Sequence, residues 1–167
     1  MKFPFAACLV LSALVVCCDA NPGSSGQLSP TATDLARVAA QIYPLEGNRY
    51  VTCDNGYSGA TRYSHCPVTQ RLRDRLLTVF AGFISGPEPL GGGQHPEWAT
   101  RSITADPSST GGVAHVVLTK PASPDSRYDL VIVPSKGNLL VDDLYCTSAD
   151  RATSSIYVAG WMNRFGC

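Results

Sequence analysis

The chain has 167 residues, with 13 basic and 13 acidic side chains, a formal net charge of zero and 44% hydrophobic residues. That length suits one domain with a core of its own. The balanced charge provides no basic surface for a nucleic acid or an anionic membrane to meet, so neither is expected as a partner.

Residues 1–20 read MKFPFAACLVLSALVVCCDA, one lysine ahead of an apolar run that ends in small residues. This is the pattern of a secretory signal peptide cleaved after Ala20. The run is too short for a comfortable membrane span, and no other segment could cross. A lipid anchor on Cys17 or Cys18 is the competing reading. It is disfavoured because lipid-modified cysteines usually follow a small residue, whereas Cys17 follows Val16 and Cys18 follows Cys17. The predicted location is secreted, or periplasmic within a cell envelope. Residues 21–28, rich in Gly, Ser and Pro, form a flexible lead, and residues 29–167 form a single α+β domain.

Four cysteines follow the signal segment: Cys53, Cys66, Cys146 and Cys167. An even number in an exported domain predicts two disulfides. Local loop closure favours Cys53–Cys66 and Cys146–Cys167 among the three possible pairings. The spacing contains no CxxC pair, and the histidines follow no recurring pattern with the cysteines, so no metal site is expected. No cofactor motif is present either. Gly91-Gly92-Gly93 lacks the strand before it, the helix after it and the Lys-Ser or Lys-Thr of a phosphate-binding loop.

The first predicted element is a helix that starts from Ser29-Pro30, with Leu35, Val38, Ala39 and Ile42 as its apolar stripe, and stops near Tyr43 ahead of Pro44. Glu46 to Cys66 reads as a disulfide-closed surface loop carrying Tyr50, Tyr57 and Tyr63, or as a tyrosine-rich binding loop. Asp54-Asn55-Gly56 is a turn, because too few carboxylates follow it for a calcium loop. Pro67–Phe83 is the second helix, buried along Val68, Leu72, Leu76, Val79, Phe80 and Phe83, with Arg71, Asp74 and Arg75 on its solvated side. Ser85 to Pro96 is a Gly- and Pro-punctuated connector.

The sheet follows. Trp98–Thr104 is a candidate first strand, turning through 107–112 into Val113–Thr119. Tyr128–Val133 and Leu139–Tyr145 come next, joined by a tight Ser135–Asn138 hairpin in which Gly137 takes positive φ. The links are too short for crossover helices, so the strands pair antiparallel. Both faces of the strands carry apolar residues. The fold class is therefore α+β: two or three N-terminal helices packed on a curved antiparallel sheet of three to four strands. Thr147–Thr153 is a polar loop, and Ile156–Met162 completes the core.

No G-x-S-x-G elbow occurs. The histidines are His65 beside Cys66, His95 near Glu97, and His115 inside a strand. A two-histidine acid–base mechanism, as in small secreted ribonucleases, would draw on His65 or His95 together with His115 and an arginine. That makes a small secreted hydrolase the alternative function. Strand alternation sends Asp142 and Asp143 to opposite faces, so they do not form a carboxylate dyad.

The order helix, helix, antiparallel strands, closing in YDLVIVPSKGNLLVDDLYC (Tyr128–Cys146), resembles the cone-shaped domain of the nuclear transport factor 2-like (cystatin-like) superfamily. The matching features are a tyrosine-led strand, a Gly-containing turn, and a strand with an apolar–Asp–Asp–apolar segment, Leu140–Leu144. Leu139-Leu140 stands where many relatives have Trp. The resemblance spans 31–146 in order of elements and Tyr128–Cys146 in motif. The superfamily contains isomerases, dehydratases, small-molecule binders and non-catalytic modules, and its enzymes carry Asp, His or Tyr inside the cone. For this chain it implies that His115 and Asp143 line such a cone.

Alternation places Val113, His115 and Val117 on one side of their strand, and Leu139, Val141, Asp143 and Tyr145 on one side of theirs. If those sides coincide, His115, Val117, Val141, Asp143 and Tyr145 line one ligand cavity between helix and sheet, with apolar walls and a few polar groups; the alternative is that His115 and Asp143 both stand exposed on a solvated face. The expected function is an exported, disulfide-stabilised, non-catalytic binding module for a small apolar ligand or a protein partner.

Overall fold

The computed structural model describes residues 29–45, 53, 59–81, 90, 99–122, 124–147 and 154–158. Residues 1–28, expected to hold a signal peptide and a lead segment, and Tyr50, Tyr57, Phe83, the triple glycine, His95, Trp98 and Cys167 all lie outside the described residues.

Helix α1 spans Ala32–Ile42. Its N-cap is Thr31, not the expected Ser29. The Thr31 hydroxyl accepts from the Asp34 N–H at 3.2 Å, and the Asp34 carboxylate accepts from the Thr31 N–H at 3.1 Å. This reciprocal pair satisfies two otherwise orphaned donors, and it needs a side chain with an acceptor oxygen three positions on. Three residues after Ser29 stands Ala32, so Ser29 has no such partner. The bonds from Thr31 hold the Asp34 carboxyl below its usual range. Leu35, Val38, Ala39 and Ile42 are all buried, as their spacing predicts, and the helix closes through Tyr43 ahead of Pro44.

Helix α2 spans Gln70–Ala81 and buries Leu72, Leu76 and Val79. It begins later than the predicted Pro67. Residues 67–69 are instead spent along the sheet edge, where Val141 N–H donates to Pro67 O and Thr69 N–H donates to Val141 O, both at 2.8 Å. The Thr69 hydroxyl then accepts from Leu72 N–H at 3.2 Å and caps the helix. Only a single 3-10 turn, Gly59–Thr61, is described between the two helices. The α+β class stands; a third helix is not among the described residues.

Strands β1 (Ala99–Ser108), β2 (Gly111–Thr119), β3 (Ser126–Ser135) and β4 (Asn138–Thr147) form an antiparallel sheet in chain order, with a two-residue β5 (Ser154–Ser155) against β4. The first hairpin is tighter than its sequence suggests. Asp106 and Pro107 pair with Val113 and Gly112, leaving Ser109 and Thr110 as the turn. The β3–β4 hairpin is the expected two-residue turn, with Lys136 at φ 49° and Gly137 at φ 83°, the combination that matches the right-handed twist of the flanking strands. The outer edge of β4 is covered by Pro67–Thr69 and then by β5, which protects backbone groups that would otherwise invite pairing.

One face of the sheet meets the helices. Ala114, Val116 and Leu118 of β2, Tyr128, Leu130 and Ile132 of β3, and Val141 and Leu144 of β4 join Leu35, Ile42, Leu72 and Leu76 in one core. Tyr43 stacks on Tyr128 with centroids 6.0 Å apart, and its hydroxyl donates to Leu90 O. The Cys53–Cys66 disulfide is formed. It anchors the turn leading into Pro67, with Tyr63 fully buried beside it. Cys146 is also disulfide-bonded; Cys167, its expected partner, lies outside the described residues.

Strict alternation fails in β4. The register shifts between Val131 and Ile132, so that Val131 pairs with Asp143 and Ile132 with Val141. Asp142 is the extra residue of a β-bulge, which exchanges the two faces from that point on. Val141 therefore points into the core while Asp143 and Tyr145 point away from it. This corrects the expectation that Val141, Asp143 and Tyr145 share one side.

Candidate functional site

The sheet face turned away from α1 and α2 has no helix or strand covering it among the described residues. Antiparallel register lines up its side chains in cross-strand rows. Thr104, His115, Asp129, Tyr145 and Ser155 form one row across five strands. Asp106, Val113, Val131 and Asp143 form the next, and Ser102, Val117 and Arg127 lie on the other side of the first.

His115 is the centre of this face. Its Nδ1 lies 2.7 Å from Asp129 Oδ1 on β3, and its Nε2 lies 3.1 Å from Asp106 Oδ2 on β1. The ring thus bridges three strands. The bond to Asp129 raises its pKa above the ordinary value, and the Asp106 carboxylate adds to this; partial burial acts the other way but does not win.

The β4 end of the face is a second polar group. The Ser155 hydroxyl donates to the Asp143 carboxylate, 2.7 Å from one oxygen and 2.9 Å from the other, and the Leu144 N–H donates to the same carboxylate at 2.8 Å. The negative charge of Asp143 holds the neighbouring Tyr145 phenol above its usual pKa.

Asp142, displaced by the bulge, turns to the sheet edge. It accepts from the Thr69 hydroxyl at 2.8 Å and pairs with Arg71, and that pairing raises the Arg71 pKa. The Arg71 guanidinium lies 4.3 Å over the Tyr157 ring, whose hydroxyl donates to Asp142 O at 3.0 Å. Arg75 Nε donates to Ile156 O at 2.8 Å. Arg71 and Arg75 are therefore not simply the solvated side of their helix: they tie Ile156 and Tyr157 to α2.

Of the residues expected to line one cavity, the structure brings His115, Val117, Asp143 and Tyr145 to one face and excludes Val141, which is fully buried. The shared face is not the one between helix and sheet. That space is occupied by Leu35, Leu72, Leu76, Leu118, Leu130, Ile132 and Leu144, each with no exposed surface. The carboxylates on His115 are Asp129 and Asp106, not Asp143, which stands two strands away. Asp106 had a legible signal, since it is symmetric with Val113 about the Ser109–Thr110 turn. Asp129 did not, because residues 120–125 leave the β2–β3 register open.

Among the described residues, no group of three or more His, Cys, Asp or Glu side chains is arranged to hold a metal ion. No described helix is long and apolar enough to cross a membrane. No protein-family model matches the chain, and no curated protein or solved structure matches it.

Proposed function

We propose that the protein is an exported, disulfide-stabilised binding module, built on a nuclear transport factor 2-like framework, that takes a protein partner on the open face of its sheet. The observation that carries this reading is the combination on that face of half-buried Val113, Val117 and Val131 with the polar row His115, Asp129 and Tyr145. Valines give a partner apolar area to cover, and the polar row fixes its orientation. A protein surface fits better than a small apolar ligand, because the space that would enclose such a ligand is taken up by core side chains. The Cys53–Cys66 disulfide supports an oxidising compartment.

The hydrolase reading is weaker on the same geometry. A general base needs one ring nitrogen facing the substrate, and both nitrogens of His115 face carboxylates. His65 sits exposed on a different element, next to the disulfide.

A photo-crosslinking amino acid placed at Val117 or Val131, with Leu45 as control, tests the binding reading in the secreted fraction of the native source. The expected result is one crosslinked protein species from both face positions and none from Leu45. Equal labelling from all three positions would overturn it. Turnover of RNA or another phosphodiester that is abolished by His115→Ala would replace it with the hydrolase.

A further inference from the structure

The geometry points to His115 as a proton-operated latch: its protonated ring holds Asp106 of β1 and Asp129 of β3 together, and loss of one proton frees the Asp106 carboxylate onto the open face. A neutral imidazole has one N–H and one lone pair. Both ring nitrogens stand within hydrogen-bonding distance of a carboxylate oxygen, at 2.7 Å and 3.1 Å, so both contacts are satisfied only while the ring carries two protons. When one proton leaves for solvent, one nitrogen turns a lone pair towards a carboxylate, and that contact becomes repulsive.

The two carboxylates differ in what separation costs them. The Asp129 side chain is 31% exposed and makes the shorter contact, while Asp106 is 86% exposed at the end of β1. Leaving a half-buried carboxylate without its donor costs more than rehydrating an exposed one. The remaining proton therefore stays on Nδ1, facing Asp129, and Asp106 is released.

The other charged groups nearby leave this assignment in place. On β4, Asp143 is engaged by Ser155 and stands beside Tyr145. Arg127 stands one cross-strand step away, opposite Val117, and Arg101 is paired with Asp125. On α1, across the sheet, Asp34 and Arg37 pair with each other. The two carboxylates on the ring raise its pKa, which places the transition above the ordinary histidine value of about 6.5.

Release adds one hydrated carboxylate beside Val113. That it tunes partner binding rests on the reading proposed above; the latch itself does not, so it is tested on the oxidised chain alone. Histidine ring and aspartate carboxyl NMR shifts are followed against pH in the wild type, Asp106→Asn and Asp129→Asn. The expected wild-type result is a His115 midpoint above 6.5, an Nδ1–H tautomer on the basic side, and an Asp106 carboxyl shift that moves at the same midpoint. Both substitutions lower the midpoint, Asp129→Asn by more. A flat Asp106 carboxyl signal through the His115 midpoint, or an Nε2–H tautomer, overturns the latch. Should Asp129→Asn unfold, the wild-type signals and the surface variant Asp106→Asn still decide it. A working latch without face-specific crosslinking would reject the binding reading alone.

Discussion

A methyl group added at Gly111 should be far more harmful than the same methyl at Gly137, although both glycines have positive φ. Gly111 opens β2 at φ 135°, and a Cβ there would overlap the Ile132 carbonyl oxygen, with Ile132 C at 3.2 Å and Val133 Cα at 3.3 Å. Gly137 has φ 83°, and nothing lies within 4 Å of where its Cβ would be. The strained backbone alone costs about 1–2 kcal/mol at either site. At Gly111 the obstacle is the main chain of β3, which is held on both sides and cannot rotate away, so overpacking adds about 1–3 kcal/mol. Gly111→Ala should thus lose about 2–5 kcal/mol and Gly137→Ala about 1–2 kcal/mol. Urea unfolding followed by circular dichroism resolves the difference. With a slope of about 2 kcal/mol/M, the Gly111→Ala midpoint should lie about 0.5–1.5 M below that of Gly137→Ala. Equal losses at the two sites would refute the close approach of β2 to Ile132.

Asp142→Ala removes the Thr69 and Arg71 contacts together. Arg71 is 61% exposed, so its pair contributes little, and the loss should be about 1–1.5 kcal/mol, mostly from the Thr69 bond; a loss that vanished in 1 M salt would assign it to Arg71 instead. Reducing Cys53–Cys66, which closes a separation of 13 residues, should cost about 3 kcal/mol, and non-reducing peptide mapping should find Cys146 joined to Cys167 and not to Cys53. The raised His115 pKa gives a stabilisation fully present below about 6.5 and lost as pH rises through the higher folded value. The stability gap between wild type and Asp129→Asn should accordingly narrow as the solution is made more alkaline, and a gap that widened would contradict the ion pairs on the ring. If residues 1–20 are a cleaved signal peptide, N-terminal sequencing of the protein from its native source should begin at Asn21; a start at an acylated cysteine would mean membrane anchoring.

Much of the scaffold is written locally. The stripe Leu35, Val38, Ala39, Ile42 and the following Pro44 determine α1, because helix periodicity and the limits on the residue before proline act within a few positions. The Lys136-Gly137 turn and the apolar runs around it likewise determine the β3–β4 hairpin, and the nearness of Cys53 to Cys66 favours their disulfide. The bulge left a trace too. Core positions Leu139, Val141, Leu144 and Cys146 change parity between Val141 and Leu144, which only an extra residue allows. What that residue does is tertiary. Asp142 is stabilised in the bulge by Thr69 and Arg71, some seventy positions earlier, and no local pattern in β4 records them. The same holds for the candidate site. Its composition was visible in His115, Asp143 and Tyr145, but the face they occupy depends on which side of the sheet α1 covers, and the partner of His115 depends on the β2–β3 register across residues 120–125. Both are settled by packing between distant segments: Leu35 lies against Gly112, and Leu130 and Ile132 must reach the core, so Asp129 is left on the outside beside His115.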